Sequence, residues 1–200
     1  MVEMLFQNPL VFALLAGALV ISISIHEFSH AFAAYKLGDA TGKRMGRLTL
    51  NPKAHLDPVG TIFLLFVGFG WGKPVPFDPR NLKNPKRDAA IISLAGPLSN
   101  FILAVILSIL LRFITLNGIF GLFLYTTILY NLMLGFFNLI PLGPLDGNKI
   151  VYGFLPNNLA VQWVEMQRYG TYILLFLIIF DFTEKIILPL VDISMNILGL

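Results

Sequence analysis

From Pro9 to Ile25 the chain runs without one charged side chain. Continued to Tyr35, the stretch is long enough to cross a bilayer, which takes roughly 20 mostly apolar residues. Hydrocarbon offers no water to backbone N–H and C=O groups, so a segment spending its length there has to be helical. Ala89 to Leu111 and Ile119 to Ile140 repeat the pattern, joined by the short link "RFITLNG". A chain of 200 residues that is 56% hydrophobic and 12% charged, with a mean hydropathy of +0.79, is a multispanning membrane protein rather than a soluble domain. Tyr169 to about Leu190 is a fourth and weaker span. Its clean apolar run ends at Phe180, which leaves a tilt, an early stop or an interfacial continuation open. Residues 59–71, "VGTIFLLFVGFGW", are too few for an ordinary span and read as a re-entrant or half-buried segment. "RMGRLTL" alternates like a strand. The expected fold is therefore all-α and polytopic, with about four spanning helices, a re-entrant segment and a small cytoplasmic β element. It forms one membrane-embedded domain over residues 1–200, with its core at 9–150 and a C-terminal helical region at 151–200.

Charge orients the spans. Ten of the 14 Lys and Arg residues lie between Lys36 and Arg87, and positive residues collect on the cytoplasmic side. Residues 36–88 are then cytoplasmic and the N-terminus lies outside, in the cell membrane. The assignment requires residues 59–71 to enter and leave on the same side. No Lys or Arg precedes Lys36, so the first span lacks the positive region of a cleaved signal peptide. With no cysteine, disulfides and thiolate ligands are excluded. No nucleic-acid motif is present, and the basic loop is ordinary positive-inside charge, suited to anionic lipid.

At the end of the first apolar run stands "HEFSH". His26 and His30 are four apart, so on a helix their side chains share a face with Cβ atoms roughly 6 Å apart. Two neutral imidazoles at that spacing suit a tetrahedral zinc. Glu27, next to the first of them, is placed to take a proton from a water that such an ion acidifies. The plain alternative is a chance match on a core helix. Ionisable groups inside a span are costly and usually functional, however, and a glutamate flanked by two histidines calls for a cation.

A catalytic zinc needs a third protein ligand and an open position. His55, in the basic loop, and Asp146, in "NLIPLGPLDGNK", are the candidates. The first and third spans both run inward, which brings Asp146 to the depth of the histidines and favours it, with His55 a minor alternative. Prolines and glycines around Asp146 break the helix there, a backbone tolerated at membrane depth where it lines a polar cavity. A turn aspartate before glycine is the structural alternative.

The stretches "HEFSHAFAAYKLGDATGKRMGRLTLNPKAHLDPVGT", "FGWGKPVPFDP", "LAGPLSN" and "NLIPLGPLDG" follow one another in an order that resembles the site-2 protease family of intramembrane zinc metalloproteases, in its small prokaryotic form without a PDZ domain. The resemblance implies one Zn2+ per chain held by His26, His30 and Asp146, Glu27 as general base, and Asn138 assisting the oxyanion. The family commonly carries proline near position 143, where this chain has Gly143, a change that would loosen the loop before Asp146. No motif is transferable to the C-terminal quarter.

Other polar residues carry structural readings. Asn138 can equally bond between helices. Asn100 reads as structural, Gly96 and Pro97 as a kink in the second span, and His55 as a loop organiser. "RMGRLTL" offers a strand edge to an unwound substrate. The function expected is hydrolysis of peptide bonds in or near transmembrane segments of membrane-anchored proteins, with the active site toward the cytoplasm. A membrane zinc carrier and a non-catalytic scaffold are the rival classes. The carrier would show polar residues along several spans, and the scaffold would not need the ligands together with Glu27.

Overall fold

Asn8 sets the start of the first long helix. In the computed structural model, which describes residues 2–67, 71–113 and 118–200, a short α1 (Val2–Gln7) is followed by α2 (Pro9–Lys36). The Asn8 side chain accepts a hydrogen bond from the Val11 N–H at 3.2 Å, and Pro9 occupies the first turn, where a missing N–H costs nothing. The 28 residues of α2 extend about 42 Å. Ser22, Ser24 and Ser29 return their hydroxyl hydrogens to the carbonyls of Ala18, Val20 and Ile25, which hides three polar groups inside an apolar helix.

Beyond α2 the chain turns through Gly38, at φ +108, into Asp39. The Asp39 carboxylate is fully buried and accepts from the Thr41 N–H and hydroxyl, the Asn81 amide and the Asp78 N–H. One side chain thus joins the end of α2, the short α3 (Thr41–Arg44) and the segment before the next long helix.

Residues 45–50 of the expected strand at 44–50 form turns, bends and irregular backbone instead, and Arg44 belongs to α3. Gly46 sits at φ +69 and Arg47 turns inward to become buried, so the polar–apolar alternation does not sort into two faces. Among the described residues there is no sheet, only an isolated antiparallel bridge between Leu56 and Gly72. The bridge is informative, because it sets the two ends of the 57–71 segment side by side. Within that segment α4 (Pro58–Val67) is about 15 Å long, too short to cross a membrane. Residues 68–70, where the remainder of the expected re-entrant turn falls, lie outside the described residues.

α5 (Pro85–Leu111) and α6 (Ile119–Leu139) complete a set of three helices long and apolar enough to span. α5 carries Pro85 in its first turn, and the Asp88 carboxylate returns to accept the Asn84 N–H at 2.9 Å. It packs against both α2 and α6, which also touch each other. Its far side exposes Ile102, Ile106 and Ile109 by more than half each. In water such a face would drive association; in lipid it is the ordinary contact surface.

α7 (Asp146–Phe154) and α8 (Asn157–Gln167) follow. The expected fourth span divides into α9 (Gly170–Ile179) and α10 (Phe182–Leu198), so its apolar run stops early. The break is Asp181, a non-glycine residue in the left-handed region at φ 58. At about 15 Å, α9 is too short to cross. α10 instead packs Ile187, Val191 and Met195 against Leu124, Ile128 and Leu132 of α6 and Ala104 of α5, closing the main apolar core.

Candidate metal centre and active site

His26 and His30 project from one face of α2 toward α5 and the start of α7. Both are buried, and their rings meet edge to face with centroids 4.6 Å apart. The two Nε2 atoms lie 3.0 Å apart, and each is 3.1 Å from the Asp146 Oδ2. Three donor atoms from two distant stretches of chain thus converge on one point.

The protons on those rings can be assigned from their other partners. His30 Nδ1 stands 2.7 Å from the Ile92 carbonyl, an acceptor only, so Nδ1 carries the hydrogen. His26 Nδ1 stands 2.6 Å from Asn100 Oδ1. The Asn100 amide nitrogen is committed elsewhere, to the Ser22 carbonyl and Asn131 Oδ1, so its oxygen faces the imidazole and accepts. Asn131 in turn donates to the Ser22 hydroxyl and the Thr127 carbonyl. With both Nδ1 atoms donating, two bare Nε2 lone pairs and a carboxylate oxygen face one another at about 3 Å. Such a triangle calls for a cation at its centre. Its edges also approach the roughly 3.3 Å separating ligands about 2.0 Å from a tetrahedral zinc. The donor set, its buried position and its ordered outer partners fit zinc.

Glycine makes the convergence possible. A Cβ on Gly96 would fall 2.5 Å from His30 Cε1 and 2.7 Å from His26 Cε1. Gly96 therefore provides clearance for the imidazoles, a more specific role than the kink expected of it.

Asp146 is the first residue of α7, reached from α6 through residues 140–145. The loop before it is pinned rather than loosened by Gly143. That residue has φ +54, a conformation glycine adopts freely. Its N–H donates to Gln167 Oε1 at 2.9 Å, while Gln167 Nε2 donates to the Pro141 carbonyl at 3.1 Å. Asn148 Nδ2 holds the Gly143 carbonyl, and Trp163 Nε1 holds Asn148 Oδ1. Gln167 and Trp163 lie on α8, so the C-terminal region, which bore no readable motif, anchors the aspartate loop.

Glu27 and Asn138 line the same small cavity of about 90 Å3 as the three donor atoms, together with Val75, Phe77 and Ile92. Glu27 Oε2 accepts from the Val75 N–H at 3.1 Å. Asn138, in the last turn of α6, donates one amide hydrogen to the Leu134 carbonyl at 3.0 Å. His55 is not part of the cluster. It is fully buried with Nε2 on the Thr49 carbonyl at 2.7 Å, the loop-organising position.

The sequence reading missed Asn100 as a partner of His26. Its signal was an amide within an apolar span four residues from Gly96, on the same helix face.

Compared with known proteins, the chain matches a model of peptidase family M50 over residues 14–120 and 114–180. It is 39% identical over 183 residues to "Putative zinc metalloprotease YwhC" of Bacillus subtilis (strain 168), covering 87% of this chain and 84% of that protein. It is 32% identical over 151 residues to "Zinc metalloprotease MJ0392" of Methanocaldococcus jannaschii, covering 76% of this chain but 37% of the longer relative. To "Putative zinc metalloprotease Rip2" of Mycolicibacterium smegmatis it is 37% identical over 102 residues, 48% of this chain and 39% of that one. No solved structure matches.

Proposed function

The chain belongs to peptidase family M50, the site-2-type zinc metalloproteases, and from that premise we propose that it cleaves peptide bonds in or near the transmembrane segments of membrane-anchored proteins. The observation that carries this reading is the depth of the cluster. His26, His30 and Asp146 meet within a bundle whose helices are long and apolar enough to lie in lipid, with Glu27 on the same cavity. We assign His26, His30 and Asp146 as the ligands of one zinc, Glu27 as general base, and Asn138 as oxyanion donor. We place the chain in the cell membrane with this site toward the cytoplasm, from the basic residues between Lys36 and Arg87 and the adjacent ends of the 57–71 segment.

When bound, zinc supplies a Lewis acid that polarises a scissile carbonyl and acidifies a water. The residues of the chain do the rest. Glu27, held by the Val75 N–H, accepts a proton from the attacking water and delivers it to the leaving amide nitrogen. Asn138 directs its second amide hydrogen toward the carbonyl oxygen as negative charge develops there. Asn100 and the Ile92 carbonyl keep the hydrogens of the two imidazoles on Nδ1 and their lone pairs on the metal side. A substrate helix ties its amides in i to i−4 bonds, so it must unwind locally before a carbonyl can enter.

The test is Glu27→Gln in purified protein, with a tagged single-span reporter carrying a Pro-Gly break in its helix. The variant should keep its zinc and lose cleavage. Cleavage at the wild-type rate would remove Glu27 from the mechanism.

A further inference from the structure

Behind the proposed base lies a buried arginine, Arg47, with no part in the steps of peptide hydrolysis. Arg47 is 4% exposed. Its Nη2 donates to the Lys73 carbonyl, and its Nε has no hydrogen-bond partner among the described residues. Among those residues it also forms no ion pair. Burying an unpaired charge is costly, and a neutral amide would hold one carbonyl as well. Burial pushes the Arg47 pKa down from the ordinary arginine value; the nearby Glu27 carboxylate opposes this and favours the ionised guanidinium.

What Arg47 holds leads directly to Glu27. The Lys73 peptide is gripped from both ends: its N–H donates to the His55 carbonyl at 2.7 Å and its C=O accepts from Arg47. Gly72, before it, is bridged to Leu56, and a Cβ there would come 3.6 Å from Glu27 Oε1. After it comes "PVP". Pro74 and Pro76 have no N–H, so the Val75 N–H is the one amide donor of residues 74–76. Lys73 and Val75 each precede a proline and are biased to extended backbone, which makes the strap stiff. Fixing the Lys73 peptide therefore fixes the direction of the Val75 N–H, which meets Glu27 Oε2.

We propose that Arg47 is a positioning residue for the peptidase reaction: it locks the Lys73–Val75 strap so that the Val75 N–H aims the Glu27 carboxylate into the cavity. The proposal rests on Glu27 as the base. Arg47 touches neither substrate nor ligand atoms in this account and acts only through the strap.

Two measurements test it on Arg47→Gln and Arg47→Lys in the full chain. Hydrogen exchange of residues 72–78 needs no substrate. In Arg47→Gln the Lys73 and Val75 amides should exchange about 10-fold faster or more, as expected when a charge-assisted bond is lost, while peptides from α2 exchange as before. With the single-span reporter, kcat should fall about 10-fold or more while KM stays within about two-fold and zinc content is unchanged, the pattern of an interaction used beyond substrate binding. Arg47→Lys should recover part of both effects, and it carries the test alone if Arg47→Gln does not fold. Unchanged exchange of the strap overturns the proposal. So does an unchanged kcat, or zinc lost in step with kcat, which would mark a merely structural arginine. Glu27→Gln run alongside separates the two ideas. An active Glu27→Gln protein removes the base assignment; an inactive one beside a fully active Arg47→Gln protein removes only the role of Arg47.

Discussion

Asn100 Oδ1 stands 2.6 Å from His26 Nδ1, and the asparagine is held in that orientation by Asn131 and the Ser22 carbonyl. A polar chain across three helices thus ends at one nitrogen of a proposed metal ligand. Partners of this kind fix the tautomer and basicity of a ligating histidine.

Asn100→Ala should therefore weaken zinc binding by about 10- to 100-fold, the usual cost of losing such a partner, while the protein still inserts and folds. Competition with a zinc chelator of known affinity, on detergent-purified wild type and variant, measures the change. An unaltered affinity would make Asn100 a packing residue only.

Gly96→Ala should be harsher than its single methyl suggests. The added carbon would fall 2.5 Å from His30 Cε1, with His26 Cε1 at 2.7 Å, so α5 or the imidazoles must move. Overpacking of this kind costs about 1–3 kcal/mol. Here the loss should appear as zinc content well below that of the wild type, read by elemental analysis of the purified variant, with helix content by circular dichroism retained.

The role of Gly96 shows how much of the molecule was legible in advance. His26, Glu27 and His30 stood out because ionisable groups are rare in apolar helices, Asp146 because two inward-running spans bring it to their depth, and three apolar runs announced α2, α5 and α6. The clearance at Gly96, the Asn100 contact and the grip of Gln167 on the loop before Asp146 were not legible. Each depends on how residues far apart in sequence approach, and local pattern carries no such information. The strand expected at 44–50 failed for a related reason: Arg47 is drawn inward to Lys73, a tertiary demand that overrode alternation. The weaker fourth apolar run takes the early stop left open for it, at Asp181.

Gly143→Pro is a sharper test of the aspartate loop. Proline holds φ near −65°, whereas Gly143 sits at +54, and the substitution also removes the N–H that donates to Gln167. It should destabilise by more than ~1 kcal/mol. Gln167→Ala should reproduce part of the effect, although it lies on α8, 24 residues along the chain from the loop. Thermal unfolding in detergent, followed at a helix wavelength, compares the three proteins. Equal midpoints would mean that the loop is not held as described.

Asp39 gives a pH dependence with a definite sign. Burial pushes its carboxyl up, but the Thr41 hydroxyl, the Asn81 amide and the backbone N–H groups of Asp78 and Thr41 prevail and hold it below its ordinary value. A carboxylate depressed in the folded state contributes stability above its unfolded pKa of roughly 3.9, and that contribution is lost as pH falls through the lower folded value. Residues 39–82 should stay closed down to about pH 4 and open below it. Asp39→Asn should show more opening at neutral pH and a weaker acid dependence. Hydrogen exchange of this segment from pH 3 to 7, corrected for intrinsic rates, reads both. Equal acid sensitivity in wild type and variant would place the titration elsewhere.

That two distant helices share a single ion is tested most directly by zinc stoichiometry in three purified proteins. Wild type and His55→Ala should each hold one tightly bound zinc per chain, and Asp146→Ala should lose it under the same dialysis. Full retention of zinc by Asp146→Ala, or its loss from His55→Ala with the fold intact, would contradict the assignment of the third ligand.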